Sequence, residues 1–238
     1  MAQSRTVSDT LGERFANIKK RIKEALDRSN RDLNDVTLIA ISKTHPASLI
    51  NEVINLGATD VGENRIQEAE PKILEVGRER ARWHLVGHLQ ANKARRAVKL
   101  FDVVHSLDSV ELAGRLDRLC GEEISNLSVL IQVDLGQEET KSGVTQENLF
   151  ELARKVHECE HLKLVGLMTL PPFLDDVEAV RPFFRRLAQL RDLLKSEGFF
   201  GEERGELSMG MTHDFEVAIE EGATMVRIGT AIFGERAQ

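Results

Sequence analysis

Small and hydroxylic residues in the last quarter of the chain form a pattern suited to holding a phosphate. Ser208 follows a short apolar run, and Gly229 and Thr230 directly follow the strand-like run TMVRI. In eight-stranded α/β barrels, the loops after the seventh and eighth strands often bind phosphate through backbone N–H groups and hydroxyls near the start of a short helix. Alternatively, Ser208 and Thr230 are ordinary turn residues or helix N-caps. The tail therefore predicts a phosphate site if the rest of the chain supplies a barrel.

Two basic residues could supply chemistry beside such a phosphate. Lys43 follows a run rich in β-branched residues, and a partly desolvated lysine amine at a barrel mouth can form a Schiff base with a carbonyl. Lys43 could instead extend into solvent or pair with Glu63 or Asp134. Arg227 could be half of a buried ion pair. Near a pyridine nitrogen, however, it would disfavour protonation of the ring and weaken the ring as an electron sink.

Alternating strand and helix signals supply the barrel. An amphipathic helix over about 8–28 comes first, with apolar residues at steps of three and four. The predicted strands lie at 36–42, 60–62, 83–86, 103–105, 128–133, 164–168, 206–207 and 225–228. The predicted helices between them lie at 48–56, 65–76, 91–98, 109–119, 146–158, 177–196 and 214–220. Eight strands in such alternation predict an α/β fold, a single (β/α)8 TIM-type barrel over about 36–236 with an extra N-terminal helix, in one domain covering 1–238.

Polar residues stand where most of these strands end, on the face of a barrel that carries chemistry. They are Ser42, Lys43 and Thr44; Glu63 and Asn64; Gly87 and His88; His105 and Ser106; Asp134, with Lys141, Ser142 and Gly143 in its loop; Thr169; Ser208; and Arg227, with Gly229 and Thr230. An amine, a phosphate seat and a partner for a ring nitrogen are thus predicted on one face. This convergence favours a functional interpretation.

The composition excludes several classes of protein. The chain has 238 residues, 41% hydrophobic and 30% charged, which is typical of a soluble globular protein. A net charge of −7 with scattered basic residues argues against nucleic-acid binding. No segment resembles a signal peptide or a membrane span, and the two cysteines lack metal-ligand spacing. We expect a cytoplasmic protein without a metal, a membrane or a nucleic acid as partner.

Seven motifs make the chain resemble a known family. They are AISKTHP (40–46), GENRIQE (62–68), WHLVGHLQANK (83–93), KSGV (141–144), GLMTL (166–170), LSMGMTHDFEVAI (207–219) and VRIGTAIFGER (226–236). Together they resemble the pyridoxal phosphate homeostasis protein family. Its single-domain barrels are similar to the N-terminal domain of alanine racemase and to the barrel of ornithine decarboxylase. The resemblance covers 36–236.

The resemblance implies the cofactor pyridoxal 5′-phosphate (PLP), held as a reversible Schiff base on Lys43. It implies a role in intracellular vitamin B6 homeostasis, with effects on amino-acid balance and PLP-dependent apo-enzymes as partners. The other site residues that it implies are Asn64 near the cofactor, Ser208, Gly229 and Thr230 at the phosphate, and Arg227 at the pyridine nitrogen. Many relatives have a serine where this chain has Thr212, so a phosphate contact by Thr212 stays open.

The chain contains no tyrosine. Alanine racemases use a lysine on one face of the cofactor and a tyrosine on the other, so that a proton leaves one side and returns to the opposite one. His88, His105 and His213 are candidate substitutes, but ordinary hydrogen-bonded imidazoles are the favoured interpretation. Two-sided racemisation is therefore disfavoured.

We therefore expect a PLP-binding homeostasis protein without robust enzymatic activity. The chain ends soon after the eighth predicted strand, without the second domain that helps to build the paired active site of the racemases, so we expect a monomer. One alternative is a weak fold-type III PLP enzyme such as an amino-acid racemase. The other is a barrel that binds a sugar phosphate without forming an imine.

Overall fold

Eight parallel strands close into a barrel in this computed structural model, which describes residues 9–136 and 142–235. The strands are β1 (Thr37–Ile41), β2 (Asp60–Glu63), β3 (Arg82–Leu85), β4 (Val103–Leu107), β5 (Leu127–Gln132), β6 (Leu162–Met168), β7 (Glu206–Ser208) and β8 (Met225–Ile228). Each strand pairs with the next in the chain, and β8 pairs with β1 through Ile228 opposite Ala40. The predicted closed barrel is confirmed, and every predicted strand boundary lies within two residues of the observed one.

Helices connect the strands and cover the outside of the barrel. They are α1 (Leu11–Arg28), α2 (Ala47–Asn55), α3 (Ile66–Val76), α4 (Ala94–Leu100), α5 (Val110–Glu122), α6 (Leu149–His157), α7 (Arg181–Ser196), α8 (Phe215–Glu220) and α9 (Thr230–Phe233). The predicted helices at 91–98 and 177–196 each begin with a 3-10 turn. Across the described ranges, no helix combines the length and apolar character needed to cross a membrane.

The N-terminal helix α1 packs against α8 and α9. It begins at Leu11 with a capping box, in which Thr10 and Glu13 satisfy each other's backbone N–H groups. Its apolar residues at steps of three and four are buried, as the periodicity predicts. Because α8 follows β7 and α9 follows β8, α1 supports the two segments in which the sequence predicts a phosphate seat.

The barrel interior contains an apolar cluster to which several strands contribute. Its members are Ile39, Ile41, Val86, Val103, Leu130, Val165, Met168 and Met225. Successive side chains of a strand point to opposite faces. Ile39 and Ile41 point inward on β1, and Met225 does so on β8. The same alternation therefore brings Lys43 and Gly229 to the inward side just beyond the ends of these strands.

Gly166 allows two strands to approach closely. A Cβ built on Gly166 would lie 2.1 Å from the backbone oxygen of Glu206 on β7. Backbone atoms cannot swing aside as a flexible side chain can, so this position accepts only glycine without displacement of a strand. Gly114 differs, because its Cβ would meet only Lys155 Cε, at 3.9 Å.

Replacing these two glycines by alanine should have opposite effects. We expect Gly166→Ala to lower the free energy of unfolding by about 2–3 kcal/mol, as overpacking does. Gly114→Ala lies inside α5 and should raise it by roughly 0.5–1 kcal/mol, because alanine has the better helix propensity. Urea unfolding of both variants and the parent measures the two effects. A stable Gly166→Ala variant would contradict the close approach of β6 and β7.

Candidate functional site

The turn after β1 carries Lys43 and is held by helix α3. The adjacent Thr44 has φ +67°, a left-handed conformation that a β-branched residue rarely adopts. Its N–H donates to Glu68 Oε2 at 3.2 Å, and Lys72 Nζ donates to the backbone oxygen of Ser42 at 2.9 Å. Strain of this kind costs roughly 1–3 kcal/mol and persists only where neighbouring contacts fix it. Two side chains one helical turn apart on α3 thus fix the backbone on both sides of Lys43.

Glu63 is the buried carboxylate next to this turn. It accepts hydrogen bonds from Ser42 Oγ at 2.7 Å and from Lys72 Nζ at 2.6 Å. Burial raises the pKa of Glu63, and the contacts with Lys72 and Ser42 act in the opposite direction. Within residues 9–136 and 142–235, no carboxylate lies within 4 Å of Lys43 Nζ. Pairing of Lys43 with Glu63 or with Asp134, the alternative that the sequence left open, is therefore not observed.

Arg227 lies inside the barrel on β8, with only 4% of its surface exposed. Its Nη1 donates to Ser208 Oγ at 2.5 Å, and its Nη2 donates to the backbone oxygen of Thr169 at 2.9 Å. Burial lowers the pKa of Arg227 to about 10, although the negative charge of Asp214 opposes the shift, so the guanidinium stays charged at neutral pH. Among the described residues, no carboxylate comes within 4 Å of it, so the alternative of a buried ion pair, which the sequence left open, is not observed.

A chain of buried side chains continues from Ser208 across the barrel interior. His105 Nδ1 lies 2.9 Å from Ser208 Oγ, and His105 Nε2 lies 2.9 Å from His84 Nδ1. His84 Nε2 lies 2.8 Å from Asp60 Oδ1. All of these residues are less than a tenth exposed. This series of hydrogen-bonded side chains connects strands β2, β3, β4, β7 and β8, and Arg227 is its last member.

The charges of these hydrogen-bonded side chains follow from their burial. Burial lowers the pKa of His84 and carries that of His105 well below the ordinary histidine value of 6.5. Burial alone would raise the pKa of Asp60, but hydrogen bonds from His84 and Thr59, together with Arg82, bring it below its ordinary value. At neutral pH, Asp60 is therefore a carboxylate and both imidazoles are neutral. Sequence reasoning missed Asp60 and His84, although strand alternation next to the inward Gly62 and Val86 could have found them.

The junction of β8 and α9 carries Gly229 and Thr230 beside the end of β1. A Cβ on Gly229 would lie 3.2 Å from the backbone oxygen of Ile41, and His45 stacks on Phe233 of α9 with ring centroids 5.3 Å apart. In the described part of the chain, the N–H groups of residues 229–231 have no hydrogen-bond acceptor. These donors suit an anion, and the chain segment that contains Lys43 passes directly beside them.

Asn64 is half-buried at the end of β2 and lines a cleft of about 610 Å³ over β2 and β3. Glu68, His88 and Lys93 line the same cleft, whereas Lys43 and Arg227 do not. Gly87 packs tightly against the backbone of Asn64, since a Cβ on Gly87 would lie 2.3 Å from the Asn64 backbone oxygen. The structure thus positions Asn64 one strand away from Lys43, at the edge of this cleft.

The three candidate histidines lie in different surroundings. His105 is buried in the chain described above. His88 is half-exposed, and its Nδ1 lies 3.2 Å from Asp108. His213 is exposed, contacts the backbone oxygen of Leu174 at 3.2 Å and lies beside Phe173, while the neighbouring Thr212 is half-buried. Of the predicted motif residues, Lys141 and Arg236 lie outside the described ranges.

Metal binding finds no support in the residues that the structure describes. No group of three or more His, Cys, Asp or Glu side chains there is arranged to hold a metal ion. Cys120 is buried and Cys159 is half-buried, and both are free thiols whose pKa is raised by burial.

Comparison with known sequences identifies relatives along nearly the whole chain. The family described as alanine racemase, N-terminal domain, matches residues 15–237. A pyridoxal phosphate homeostasis protein of Aquifex aeolicus is 45% identical over 224 residues, which are 94% of this chain and 97% of the relative. The protein of the same name from Escherichia coli K12 is 40% identical over 231 residues, 95% of this chain and 97% of the relative.

Comparison with solved structures also finds similar proteins along nearly the whole chain. The PipY protein of Synechococcus elongatus, solved with PLP bound, has a TM-score of 0.82 and 36% identity, and the match covers 94% of this chain and all of that chain. Alanine racemase of Corynebacterium glutamicum has a TM-score of 0.67 and 17% identity, with 94% of this chain and 62% of that chain covered. At that identity, the likeness to the racemase shows the fold alone.

The two buried neutral histidines should make stability depend on pH. Below about pH 6.5, the unfolded chain binds protons that the folded protein excludes, so the free energy of unfolding falls as the pH falls, by up to about 1.4 kcal/mol per pH unit for each histidine. Urea unfolding at about pH 7.5 and pH 5.5 measures this decline. His105→Gln should show a shallower decline than the parent.

The pH dependence of the variant must be compared with that of the parent. The raised pKa values of Glu63 and Asp214 make the free energy of unfolding rise as the pH falls, which opposes the effect of the histidines in both proteins. His88→Gln is the matched control, since the His88 side chain is half-exposed. Equal declines in the parent and in His105→Gln would show that His105 is not held neutral in the folded protein.

Proposed function

The chain belongs to the pyridoxal phosphate homeostasis protein family, within the alanine racemase N-terminal domain family, and from that premise we propose that it binds PLP and serves intracellular PLP homeostasis. One observation carries the proposal. The strand ends of β8 and β1 lie side by side. Within the ranges that the structure describes, they bring together a lysine with no carboxylate partner, a set of N–H groups with no acceptor and a buried guanidinium with neutral partners. These groups match the aldehyde, the phosphate and the pyridine ring of PLP.

Lys43 is the proposed covalent anchor, through a reversible Schiff base. When bound, PLP supplies an aldehyde that a neutral primary amine attacks with loss of water. Glu68 and Lys72 hold the backbone on either side of Lys43, so this amine stands on a fixed turn. Asn64, at the end of the neighbouring strand β2, is the proposed additional contact near the cofactor.

The phosphate seat is proposed at Gly229 and Thr230, with Ser208 as the third predicted member. A phosphate dianion requires donors, and the N–H groups after β8 and the exposed hydroxyl of Thr230 can provide them. The missing side chain of Gly229 leaves room between this segment and Ile41. The Ser208 hydroxyl already contacts Arg227 and His105, so its role is a separate question.

Arg227, as the proposed partner of the ring nitrogen, favours a holder over a catalyst. A guanidinium has only donors, so it pairs with an unprotonated pyridine nitrogen. An unprotonated ring is a weaker electron sink. The chain also has no tyrosine to act as a second acid or base, and His105 is enclosed in the barrel interior. We therefore propose a PLP-binding protein without robust turnover, and effects on amino-acid balance that arise through PLP supply.

The proposed setting is the cytoplasm, with a monomeric protein that exchanges PLP with PLP-dependent apo-enzymes. The names of the relatives support a homeostatic role. Light scattering tests the monomer, and a stable dimer would refute it. Incubation with a small amino acid in D2O tests the alternative of a weak racemase, since α-hydrogen exchange that depends on Lys43 would establish catalysis.

The proposed anchor can be identified chemically. Purified protein mixed with PLP should develop an imine absorption band, and borohydride should fix the label on the peptide that contains Lys43. Lys43→Arg should keep the positive charge and lose the band, whereas Lys93→Arg, a change at the cleft over β2 and β3, should keep it. A label spread over surface lysines would refute the anchor.

Binding through the phosphate should persist without the anchor. We expect Lys43→Ala to lose the imine band and still bind PLP in equilibrium dialysis, because the donors after β8 remain. Adding Thr230→Ala should weaken this residual binding about tenfold, the usual effect of losing one hydrogen bond to a charged group. Complete loss of affinity in Lys43→Ala would contradict a separate phosphate seat.

A further inference from the structure

We propose that Asp60, His84 and His105 are positioning residues that form a one-directional hydrogen-bond relay and thereby make Ser208 an acceptor for Arg227. The direction of the relay follows from the protein alone. Its consequence for ligand binding rests on the proposed function, because it assumes that Arg227 faces the cofactor ring.

The relay takes its direction from Asp60. An ionised carboxylate can only accept hydrogen bonds. His84 Nε2 must therefore carry a proton and donate a hydrogen bond to Asp60 Oδ1 at 2.8 Å. Because the His84 ring is neutral, its Nδ1 has no proton and can only accept. His105 Nε2, at 2.9 Å, must therefore be the donor in the contact between the two rings.

The hydroxyl of Ser208 also has a fixed direction. With its proton on Nε2, the neutral His105 ring has an unprotonated Nδ1, which accepts from Ser208 Oγ at 2.9 Å. A hydroxyl has a single proton. The proton of Ser208 is therefore directed into the barrel and is not available to a phosphate.

Arg227 closes the relay at its other end. A guanidinium cannot accept, so the contact between Nη1 and Ser208 Oγ has only one possible direction. This contact agrees with the order set from Asp60, in which Arg227 donates to Ser208, Ser208 to His105, His105 to His84 and His84 to Asp60. Reversal of the contacts between Asp60 and Ser208 would require a proton on Asp60, which would then donate to His84 Nε2.

The relay gives Ser208 a role different from a phosphate contact. Arg227 is held between Ser208 Oγ and the backbone oxygen of Thr169, and Thr169 Oγ1 is itself bonded to the backbone oxygen of Val133 at 3.0 Å. The planar guanidinium is thereby fixed at two nitrogens. Ser208 acts on the ring side of the site by orienting Arg227, whereas Gly229 and Thr230 are left as the phosphate seat.

Nitrogen NMR of the unliganded protein tests the direction of the relay. Long-range ¹H–¹⁵N correlation spectra should show both buried rings as neutral tautomers with the proton on Nε2, unchanged from about pH 8 to pH 6.5. The charges closest to these rings are Asp60, Asp102, Arg82 and Arg227. A proton on Nδ1 of either ring, or a doubly protonated ring in this range, would overturn the relay.

Variants at Asp60 extend this test. Asp60→Asn keeps an oxygen that can accept from His84 and should preserve both tautomers. Asp60→Leu removes the acceptor and should give a mixture of tautomers at His84 and His105, provided that the dispersion of the amide spectrum confirms a folded protein. Preserved tautomers in folded Asp60→Leu would show that Asp60 does not set the direction. If Asp60→Leu does not fold, the spectra of the parent still decide the relay.

Paired ligands test the role of Ser208. PLP and 5-deoxypyridoxal differ in the phosphate, so the ratio of their dissociation constants reports the phosphate contact. Ser208→Ala should weaken the binding of both compounds about three- to tenfold and leave the ratio unchanged. Thr230→Ala should weaken the binding of PLP alone, about tenfold. A selective loss of PLP affinity in Ser208→Ala would make Ser208 a phosphate ligand and overturn its assigned role. If the parent binds neither compound, the proposed function fails, while the NMR result still stands for the relay.

Discussion

The pairing of β8 with β1 is the contact on which the site depends. It closes the barrel through backbone hydrogen bonds in the register of Ile228 with Ala40. Closure removes the free edges of the sheet, and it joins the turn of Lys43 to the segment that begins at Gly229. Without it, the lysine and the phosphate seat, separated by more than 180 residues of sequence, would lie on opposite edges of an open sheet.

The barrel interior is divided between an apolar half and a polar half. The apolar half packs as in other α/β barrels. The polar half contains a carboxylate, two neutral imidazoles, a hydroxyl and a guanidinium, and each connects to the next by a hydrogen bond. Burying polar groups costs free energy unless partners are provided, and such a network is rigid when every member is satisfied. The network therefore holds the buried Arg227 in a fixed orientation.

Helices outside the barrel stabilise the ligand-facing loops. Helix α3 fixes the strained turn at Thr44 through Glu68 and Lys72, and α1 supports α8 and α9 from the outside. Ion pairs of α1 with α8, such as Arg21 with Glu216 at 2.6 Å, add to this support. The groups proposed to meet PLP thus stand on preorganised backbone. A holder benefits from such preorganisation, because less conformational entropy is lost on binding.

The sequence by itself determined the order and type of the strands, the closed barrel and the candidates Lys43, Arg227, Gly229 and Thr230, because hydrophobic periodicity and strand ends are local properties. The resemblance to a family added the ligand and the proposed residue roles. Neither the sequence nor the resemblance could reveal that Asp60 and His84 form a series of hydrogen bonds with His105 and Ser208. These residues come from four strands and meet only when the barrel is closed. Tertiary structure alone decided the partners of Lys72, Glu63 and Arg227. Hydrogen-bond direction and buried charge depend on which atoms lie within about 3 Å of each other, and sequence spacing does not specify such distances.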